Sequence, residues 1–212
     1  MLYKMIGYYF ITDSHLSRAG SLHDVKCAVD EGVEIVQYRQ KDASTRDLLS
    51  EARDLQRICQ GTSTRFIIND RVDIALAINA DGVHIGQDDM PYDITRKLLG
   101  PGKIIGVTVH NVREAAEAEC MGADYLGVSP IFATGTKLDA GKPSGITLIE
   151  EIKRKAKIPL VAIGGITISN APDVISAGAD AICAISAVVT KDNVVGEIRR
   201  FQSLFSTKGD NR

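Results

Sequence analysis

The chain repeats one unit, in which a short apolar run is followed by an amphipathic stretch and then by a short joint that contains glycine. Glycine ends a helix readily because it adopts a left-handed backbone, and the residues after it begin the next strand. A repeated strand–helix unit predicts a parallel sheet covered by helices. Four of the joints have similar sequences: Asp30-Glu31-Gly32-Val33, Ala80-Asp81-Gly82-Val83, Gly122-Ala123-Asp124-Tyr125 and Gly178-Ala179-Asp180-Ala181.

Eight apolar runs are short and often β-branched, which is typical of parallel strands buried on both faces. Eight units in 212 residues favour an α/β fold, a single (β/α)8 TIM barrel, over an open doubly wound sheet, which is the alternative. The predicted domain spans residues 1–212, with a frayed tail from about 206. The predicted strands cover residues 8–12, 33–38, 65–69, 82–85, 104–108, 125–128, 160–163 and 181–185. Predicted helices include residues 46–59, 112–121, 146–155, 171–177 and 194–205.

Composition limits the partners and the compartment. Hydrophobic residues make up 44% and charged residues 25%, as in soluble globular proteins. The net charge of −2 provides no field that would attract nucleic acid or an anionic membrane. The four cysteines form no CxxC pair, which excludes a zinc ribbon and fits reduced thiols in the cytoplasm. No signal peptide or membrane span is expected, and the sequence leaves open whether the chain is a monomer or a homo-oligomer.

Polar residues follow the second predicted strand, at the end where active sites of such barrels lie. Gln37, Arg39 and Lys41 are spaced by two, so a strand that continues to Lys41 would direct all three into the mouth of the barrel. Arginine offers a planar fork of donors and lysine a compact charge, which together suit a diphosphate. A solvated strand end with surface charges is the alternative.

Aspartates follow the third and fourth predicted strands. Adjacent strand ends would bring Asp70 and Asp89 to one rim, where they suit Mg²⁺, which favours one or two carboxylates with phosphate oxygens and water. Either side chain could instead cap the next helix, and Asp88 is a rival ligand. His84, inside the fourth strand, is predicted to be a packed core residue.

Hydroxyl groups and a long loop follow the fifth and sixth predicted strands. Thr108 either binds a ligand at the mouth or holds only its own loop. The loop after the sixth strand is longer than most such connections and carries Thr134, Thr136 and Lys137, which are oxyanion ligands by type. An ordinary flexible loop is the alternative.

Glycines follow the seventh predicted strand, and a serine follows the eighth. Loops at these positions form the recurrent phosphate site of the fold, because backbone N–H groups there face the ligand at a helix start. Gly164 and Gly165 allow close approach of the backbone, and Ser186 adds a hydroxyl. The mouth is therefore predicted to hold a cationic magnesium-diphosphate site and a neutral monophosphate site. This pairing suggests group transfer with loss of pyrophosphate.

Five motifs, in order along nearly the whole chain, resemble those of the thiamine phosphate synthase (thiamine-phosphate pyrophosphorylase) family. Any one of them is a weak signal, whereas five in the same order are specific. They are Gln37-Tyr38-Arg39-Gln40-Lys41, Ile68-Asn69-Asp70-Arg71-Val72-Asp73, Asp81-Gly82-Val83-His84-Ile85-Gly86-Gln87-Asp88-Asp89, Thr134-Gly135-Thr136-Lys137 and Ala162-Ile163-Gly164-Gly165-Ile166.

The resemblance implies a transferase that joins 4-amino-2-methyl-5-hydroxymethylpyrimidine diphosphate to a thiazole phosphate, giving thiamine monophosphate and pyrophosphate. It implies a dissociative reaction, in which the diphosphate leaves before the thiazole nitrogen attacks, with Arg39, Thr108 and Lys137 as catalytic side chains. It also implies magnesium ligands at Asp70 and Asp89. The implied pyrimidine diphosphate ligands are Gln37, Arg39, Lys41, Asn69 and Lys137. The implied residues on the thiazole phosphate side are Thr134, Thr136, Gly165, Ile185 and Ser186.

Two positions depart from the family pattern, since Thr108 replaces the usual serine and Ser129 replaces a common glycine. A related branch, the thiazole tautomerases, tends to lose the Asn-Asp-Arg and Gly-Gln-Asp-Asp motifs and places a histidine near the end of the sixth strand. Both motifs are intact here, so a tautomerase-like paralogue is the weaker enzyme hypothesis. A non-catalytic sensor of phosphate ligands is the alternative from another class of protein.

Overall fold

Eight parallel strands close on one another in chain order in a computed structural model, which describes residues 5, 7–136 and 141–206. The first strand pairs with the last, where Gly7 lies opposite Ala181 and Tyr8 opposite Ile182, so the sheet has no free edge. This confirms the predicted (β/α)8 barrel over the open sheet. The strands are β1 Gly7–Ile11, β2 Ile35–Tyr38, β3 Arg65–Asn69, β4 Gly82–Ile85, β5 Ile104–Val109, β6 Tyr125–Val128, β7 Leu160–Ile163 and β8 Ala181–Cys183.

Helices follow every strand in the described part of the chain. None of the described helices combines the length and the apolar character needed to cross a membrane. Most of the predicted frayed tail, residues 207–212, lies outside the described residues. The helices are α1 Ser21–Asp30, α2 Thr45–Cys59, α3 Val72–Ile78, α4 Tyr92–Leu99, α5 Val112–Met121, α6 Gly145–Lys153, α7 Ala171–Ser176, α8 Ser186–Val189 and α9 Val194–Ser206.

Four strands differ from their predicted bounds, β1 and β5 by one residue and β2 and β8 by two. The strand β2 begins two residues late because the Val33 amide still donates to Ala28 O at 3.0 Å, in the turn that ends α1. The strand β8 ends at Cys183 because the Ile185 carbonyl already accepts from Val189 N at 3.0 Å and so begins a short helix. That helix, α8, was not predicted, since four apolar and small residues carry no helical period of their own.

Side chains of each strand alternate between two cores. The outer core lies between sheet and helices, where Tyr8 and Phe10 of β1 pack with helical residues such as Phe201. The inner core fills the barrel and includes Tyr9 and Ile11 of the same strand. This alternation is what directs every second residue of a strand toward the barrel axis, and near the carboxyl ends toward the mouth.

Candidate active site

A cavity of about 360 Å³ lies at the carboxyl ends of the strands. Its lining residues lie at or just after the ends of all eight strands, from Ile11 of β1 to Ser186 after β8. Lys137 lies outside the described residues, whereas the preceding Thr136 lines the cavity. The other predicted site residues all line it: Gln37, Arg39, Lys41, Asn69, Asp70, Asp89, Thr108, Thr134, Thr136, Gly165, Ile185 and Ser186.

Arg39 is held from behind by the end of β1. Although β2 ends at Tyr38, the Arg39 amide donates to Thr12 Oγ1 at 2.9 Å, which continues the extended geometry past the strand. The Arg39 guanidinium donates to Asp13 Oδ2 at 3.2 Å, and the Asp13 side chain is only 6% exposed. The other Asp13 oxygen accepts from the amides of His15 and Leu16. The carboxylate is thereby fixed, and it fixes the guanidinium.

Thr12 and Asp13 were not predicted from the sequence as residues of the site. The signal was present, because these two polar residues directly follow an apolar strand, as the recognised residues of the other strands do. Reading the end of the first strand by the same rule would have added them.

Lys41, Asp70 and Asp89 form one cluster across the ends of β2, β3 and β4. The Lys41 ammonium donates to Asp70 Oδ2. Asp89 Oδ2 accepts from Gly86 N at 2.7 Å, which turns that carboxylate back toward the cavity. Asp88 also lines the cavity but is exposed. Asp70 has a φ of 59°, in the left-handed region that side chains other than Asn and Asp rarely adopt, and such backbone strain is concentrated at functional sites.

The pKa values of the two aspartates shift in opposite directions. Burial raises the pKa of Asp89, and the neighbouring Asp70 carboxylate raises it further. Burial also opposes ionisation of Asp70, but hydrogen bonds from Lys41 and Asp89 outweigh it and lower the pKa of Asp70. Two carboxylates at one site resist joint ionisation unless a cation lies between them. A cation with a higher charge than the Lys41 ammonium would therefore favour ionisation of both carboxylates.

Thr108 and His84 meet at the floor of the cavity. His84 is 4% exposed, which confirms the predicted burial, yet it also lines the cavity. Its Nε2 lies 2.8 Å from Thr108 Oγ1. Gln87 donates to the carbonyl of Thr108 at 2.6 Å and so ties the loop after β4 to β5. Thr108 is thus fixed by both its side chain and its backbone.

The loop after β6 packs against the two glycines after β7. Gly164 and Gly165 have φ values of 102° and 63°, which are costly for residues with a side chain. A Cβ atom on Gly165 would lie 2.5 Å from the carbonyl oxygen of Ala133. The Phe132 amide donates to Gly164 O at 3.0 Å. The glycines therefore bring this loop, and with it Thr134, to the same side of the cavity.

The closed barrel and the polar cavity at the carboxyl ends of its strands define a (β/α)8-barrel enzyme. Residues 8–188 match the family model described as thiamine monophosphate synthase. The chain belongs to this family.

Individual relatives agree with the family assignment. The chain is 54% identical over 200 residues to the thiamine-phosphate synthase of Methanosarcina mazei, covering 94% of this chain and 83% of the relative. It is 53% identical over 200 residues to the thiamine-phosphate synthase of Methanosarcina barkeri, covering 94% of this chain and 90% of the relative. The solved thiamine phosphate pyrophosphorylase of Pyrococcus furiosus superposes with a TM-score of 0.88 at 36% identity, covering 96% of this chain and 97% of that one.

Proposed function

We propose that the protein is a transferase that condenses 4-amino-2-methyl-5-hydroxymethylpyrimidine diphosphate with thiazole phosphate, releasing thiamine monophosphate and pyrophosphate. Family membership supports this activity. The observation that carries it is the division of one cavity into two unlike sides. The Lys41, Asp70 and Asp89 cluster follows β2 to β4, whereas the loop of Gly165 and the Ser186 hydroxyl follow β7 and β8.

The charged side is assigned to the pyrimidine diphosphate. Arg39 and Lys41 supply fixed positive charge, with Asn69 beside them and the Gln37 amide available to the aminopyrimidine ring. Lys137, which follows Thr136 in the chain, is assigned to the same diphosphate. An array of cations matches a group on which negative charge grows as it departs.

Asp70 and Asp89 are assigned to Mg²⁺. This assignment is supported by the opposite directions of their pKa shifts, since a divalent cation would favour ionisation of both carboxylates. No group of three or more acidic, histidine or cysteine side chains converges within the described residues, so the remaining ligands would be phosphate oxygens and water, the set that Mg²⁺ favours. When bound, the ion would neutralise charge on the diphosphate and help it to leave.

The residues of the chain then have simple tasks. Arg39, Lys41 and Lys137 bind the diphosphate and stabilise it as its bond to the pyrimidine methylene breaks. Thr108 adds a hydrogen bond at the cavity floor. The thiazole nitrogen supplies the electron pair that forms the new bond, so no protein nucleophile takes part. The protein's contribution is orientation and electrostatic stabilisation.

The second side is assigned to the thiazole phosphate. Gly165 exposes backbone that a phosphate can approach, and Thr134, Thr136 and Ser186 provide hydroxyl donors around it. Ile185 offers the apolar contact expected for a thiazole ring. Neutral donors suit this phosphate because it stays attached to the product and gains no charge during the reaction.

The tautomerase-like and sensor hypotheses lack a supporting observation. Neither activity has to stabilise a departing diphosphate, yet Lys41 and the two aspartates that suit this task lie around the cavity. Ser129 and Pro130 follow β6 at the position where tautomerases place histidine. We place the protein in the cytoplasm, where free thiols such as Cys27, Cys59 and Cys183 persist.

The activity is tested with purified protein, magnesium and both substrates. Thiamine phosphate and pyrophosphate are expected in equal amounts, and neither should form when either substrate is left out. Conversion of the thiazole without release of pyrophosphate would favour a tautomerase. Binding of both substrates without any product would favour a sensor and would overturn the proposal.

The contact between Asp13 and Arg39 gives a prediction for diphosphate binding. Asp13→Asn keeps an oxygen for the amides of His15 and Leu16 but removes the charge that orients Arg39. The KM for the pyrimidine diphosphate should rise by about tenfold, the effect of weakening one charge-assisted hydrogen bond, while that for the thiazole phosphate stays constant. Initial rates at varied substrate concentrations measure both constants. Asp42→Asn, at an aspartate that is 70% exposed, is the control, and an equal rise in that variant would refute the role of Asp13.

A further inference from the structure

A chain of hydrogen bonds crosses the barrel beneath the cavity. Gln37 Nε2 donates to the Tyr9 hydroxyl at 2.7 Å, and that hydroxyl lies 2.7 Å from the hydroxyl of Tyr125. Tyr125 Oη lies 2.9 Å from His84 Nδ1, and His84 Nε2 lies 2.8 Å from Thr108 Oγ1. The series of hydrogen bonds ends at Gln37 on one side and at Thr108 on the other, and both residues line the cavity. Tyr9, Tyr125 and His84 between them are called the relay.

The donor-to-acceptor direction of these hydrogen bonds follows from the Gln37 amide, because each phenol has only one proton to donate. Tyr9 accepts from Gln37, so its proton is turned toward Tyr125. The Tyr125 proton is then turned toward His84 Nδ1, which leaves the proton of a neutral His84 on Nε2. His84 donates that proton to Thr108, and the Thr108 hydroxyl keeps its own proton for the cavity.

The sequence makes room for the rings of the relay. A Cβ atom on Gly106 of β5 would lie 2.0 Å from Tyr125 Cζ, and one on Gly127 of β6 would lie 2.9 Å from His84 Cε1. Glycine weakens the interior of a strand and often marks the close approach of another group. Tyr9 and Tyr125 are 1% and 0% exposed, so bulk water cannot replace the links of the chain. Burial raises the pKa of Tyr9. The phenol therefore keeps its proton.

We propose that Tyr9, Tyr125 and His84 are positioning residues that couple the orientation of the Gln37 amide to that of the Thr108 hydroxyl and make Thr108 a hydrogen-bond donor to the substrate. The role in catalysis rests on the proposed function. Diphosphate oxygens carry only lone pairs, so a donor at Thr108 stabilises them, whereas the opposite direction would present lone pairs to lone pairs. That opposite direction needs the Gln37 carbonyl, and not its NH₂ group, on Tyr9. The orientation of the Gln37 amide, which faces the pyrimidine, thus also decides whether the Thr108 hydroxyl donates to the diphosphate or accepts.

The first test reads the position of the His84 proton directly in the wild-type protein. Long-range ¹H–¹⁵N correlation spectra distinguish the two neutral forms of histidine. His15, His23 and His110 are exposed, so replacing each by glutamine assigns its signals and leaves those of His84. The expected form has the proton on Nε2 and a bare Nδ1. A proton on Nδ1, or on both nitrogens at neutral pH, would overturn the direction of the relay.

The second test measures whether the relay acts through Thr108. Tyr125→Phe removes one oxygen and should lower kcat by about tenfold, with the KM for the thiazole phosphate unchanged. In a Thr108→Val background the same change should have less than about a twofold effect, because the group that it positions is already gone. Thr108→Ser, which keeps the hydroxyl, should retain most of the activity.

Tyr8→Phe is the matched control. Tyr8 is also buried, at 4% exposure, but its hydroxyl donates to Ala184 O in the outer core. This variant should have a wild-type kcat, and its melting temperature shows what the loss of a buried hydroxyl does to stability alone. If the fall in kcat of the double variant equals the product of the falls in Tyr125→Phe and Thr108→Val, the proposed coupling would be overturned. Wild-type protein that forms no thiamine phosphate would refute the proposed function instead, and the spectra would still report on the relay.

Discussion

Asp70→Asn is expected to lower kcat/KM by about 10²-fold, which is the scale of losing one major electrostatic contact in a transition state. The substitution removes one negative charge from the pair that would hold Mg²⁺ and leaves the Lys41 ammonium without its carboxylate partner. Its effect should be electrostatic, because asparagine has nearly the same shape and also tolerates the φ of 59° at this position. Steady-state rates at increasing magnesium concentration should show a higher magnesium requirement along with the lower rate.

The same experiment on the neighbouring aspartates tests which carboxylates are involved. Asp89→Asn should resemble Asp70→Asn, since the two side chains interact directly. Asp88→Asn should stay within about threefold of the wild type, as a change at an exposed side chain usually does. A wild-type rate and magnesium requirement in Asp70→Asn would remove Asp70 from the metal site. A large loss in Asp88→Asn alone would move the site to the rival ligand.

Lys137→Ala is the second change with a large expected effect, a fall in kcat of about 10²-fold. The ammonium is assigned to the diphosphate, where charge accumulates only as the bond breaks. Its removal should therefore lower kcat more than it raises the KM for the pyrimidine diphosphate. Single-turnover measurements with saturating substrates isolate the chemical step. The neighbouring Thr136 lines the cavity, so the loop itself reaches the site.

Lys142→Ala provides the control for Lys137→Ala. Lys142 belongs to the same loop and is exposed, so its loss removes the same charge from the loop without removing a proposed ligand. It should retain a rate close to that of the wild type. Equal losses in both variants would point to the net charge of the loop, and a wild-type rate in Lys137→Ala would remove Lys137 from catalysis.

The barrel and the sides of its cavity could be predicted because parallel strands obey a simple rule. Each strand of the barrel is an apolar run, and the polar residues near its carboxyl end or just after it lie at the mouth. Gln37, Asp70, Thr108 and Ser186 were found in this way, although β2 ends before Arg39 and Lys41. The rule needs only the order of residues along the chain.

The rest depends on contacts between distant residues, which no local pattern reveals. Tyr9 and Tyr125 read as ordinary core residues of β1 and β6, and only the closed barrel shows that their hydroxyls meet. His84 was correctly predicted to be buried, but its link to Thr108 depends on the register of β4 and β5. The position of the Asp89 carboxylate likewise depends on a turn, in which it accepts a hydrogen bond from the Gly86 amide.

A crystal structure with magnesium, pyrophosphate and thiamine phosphate tests the division of the cavity most directly. We expect pyrophosphate and the metal ion among Arg39, Lys41, Asp70 and Asp89, and the phosphate of thiamine phosphate at the Gly165 backbone and the Ser186 hydroxyl. Pyrophosphate bound at the glycine loop, or magnesium bound away from both aspartates, would contradict the account.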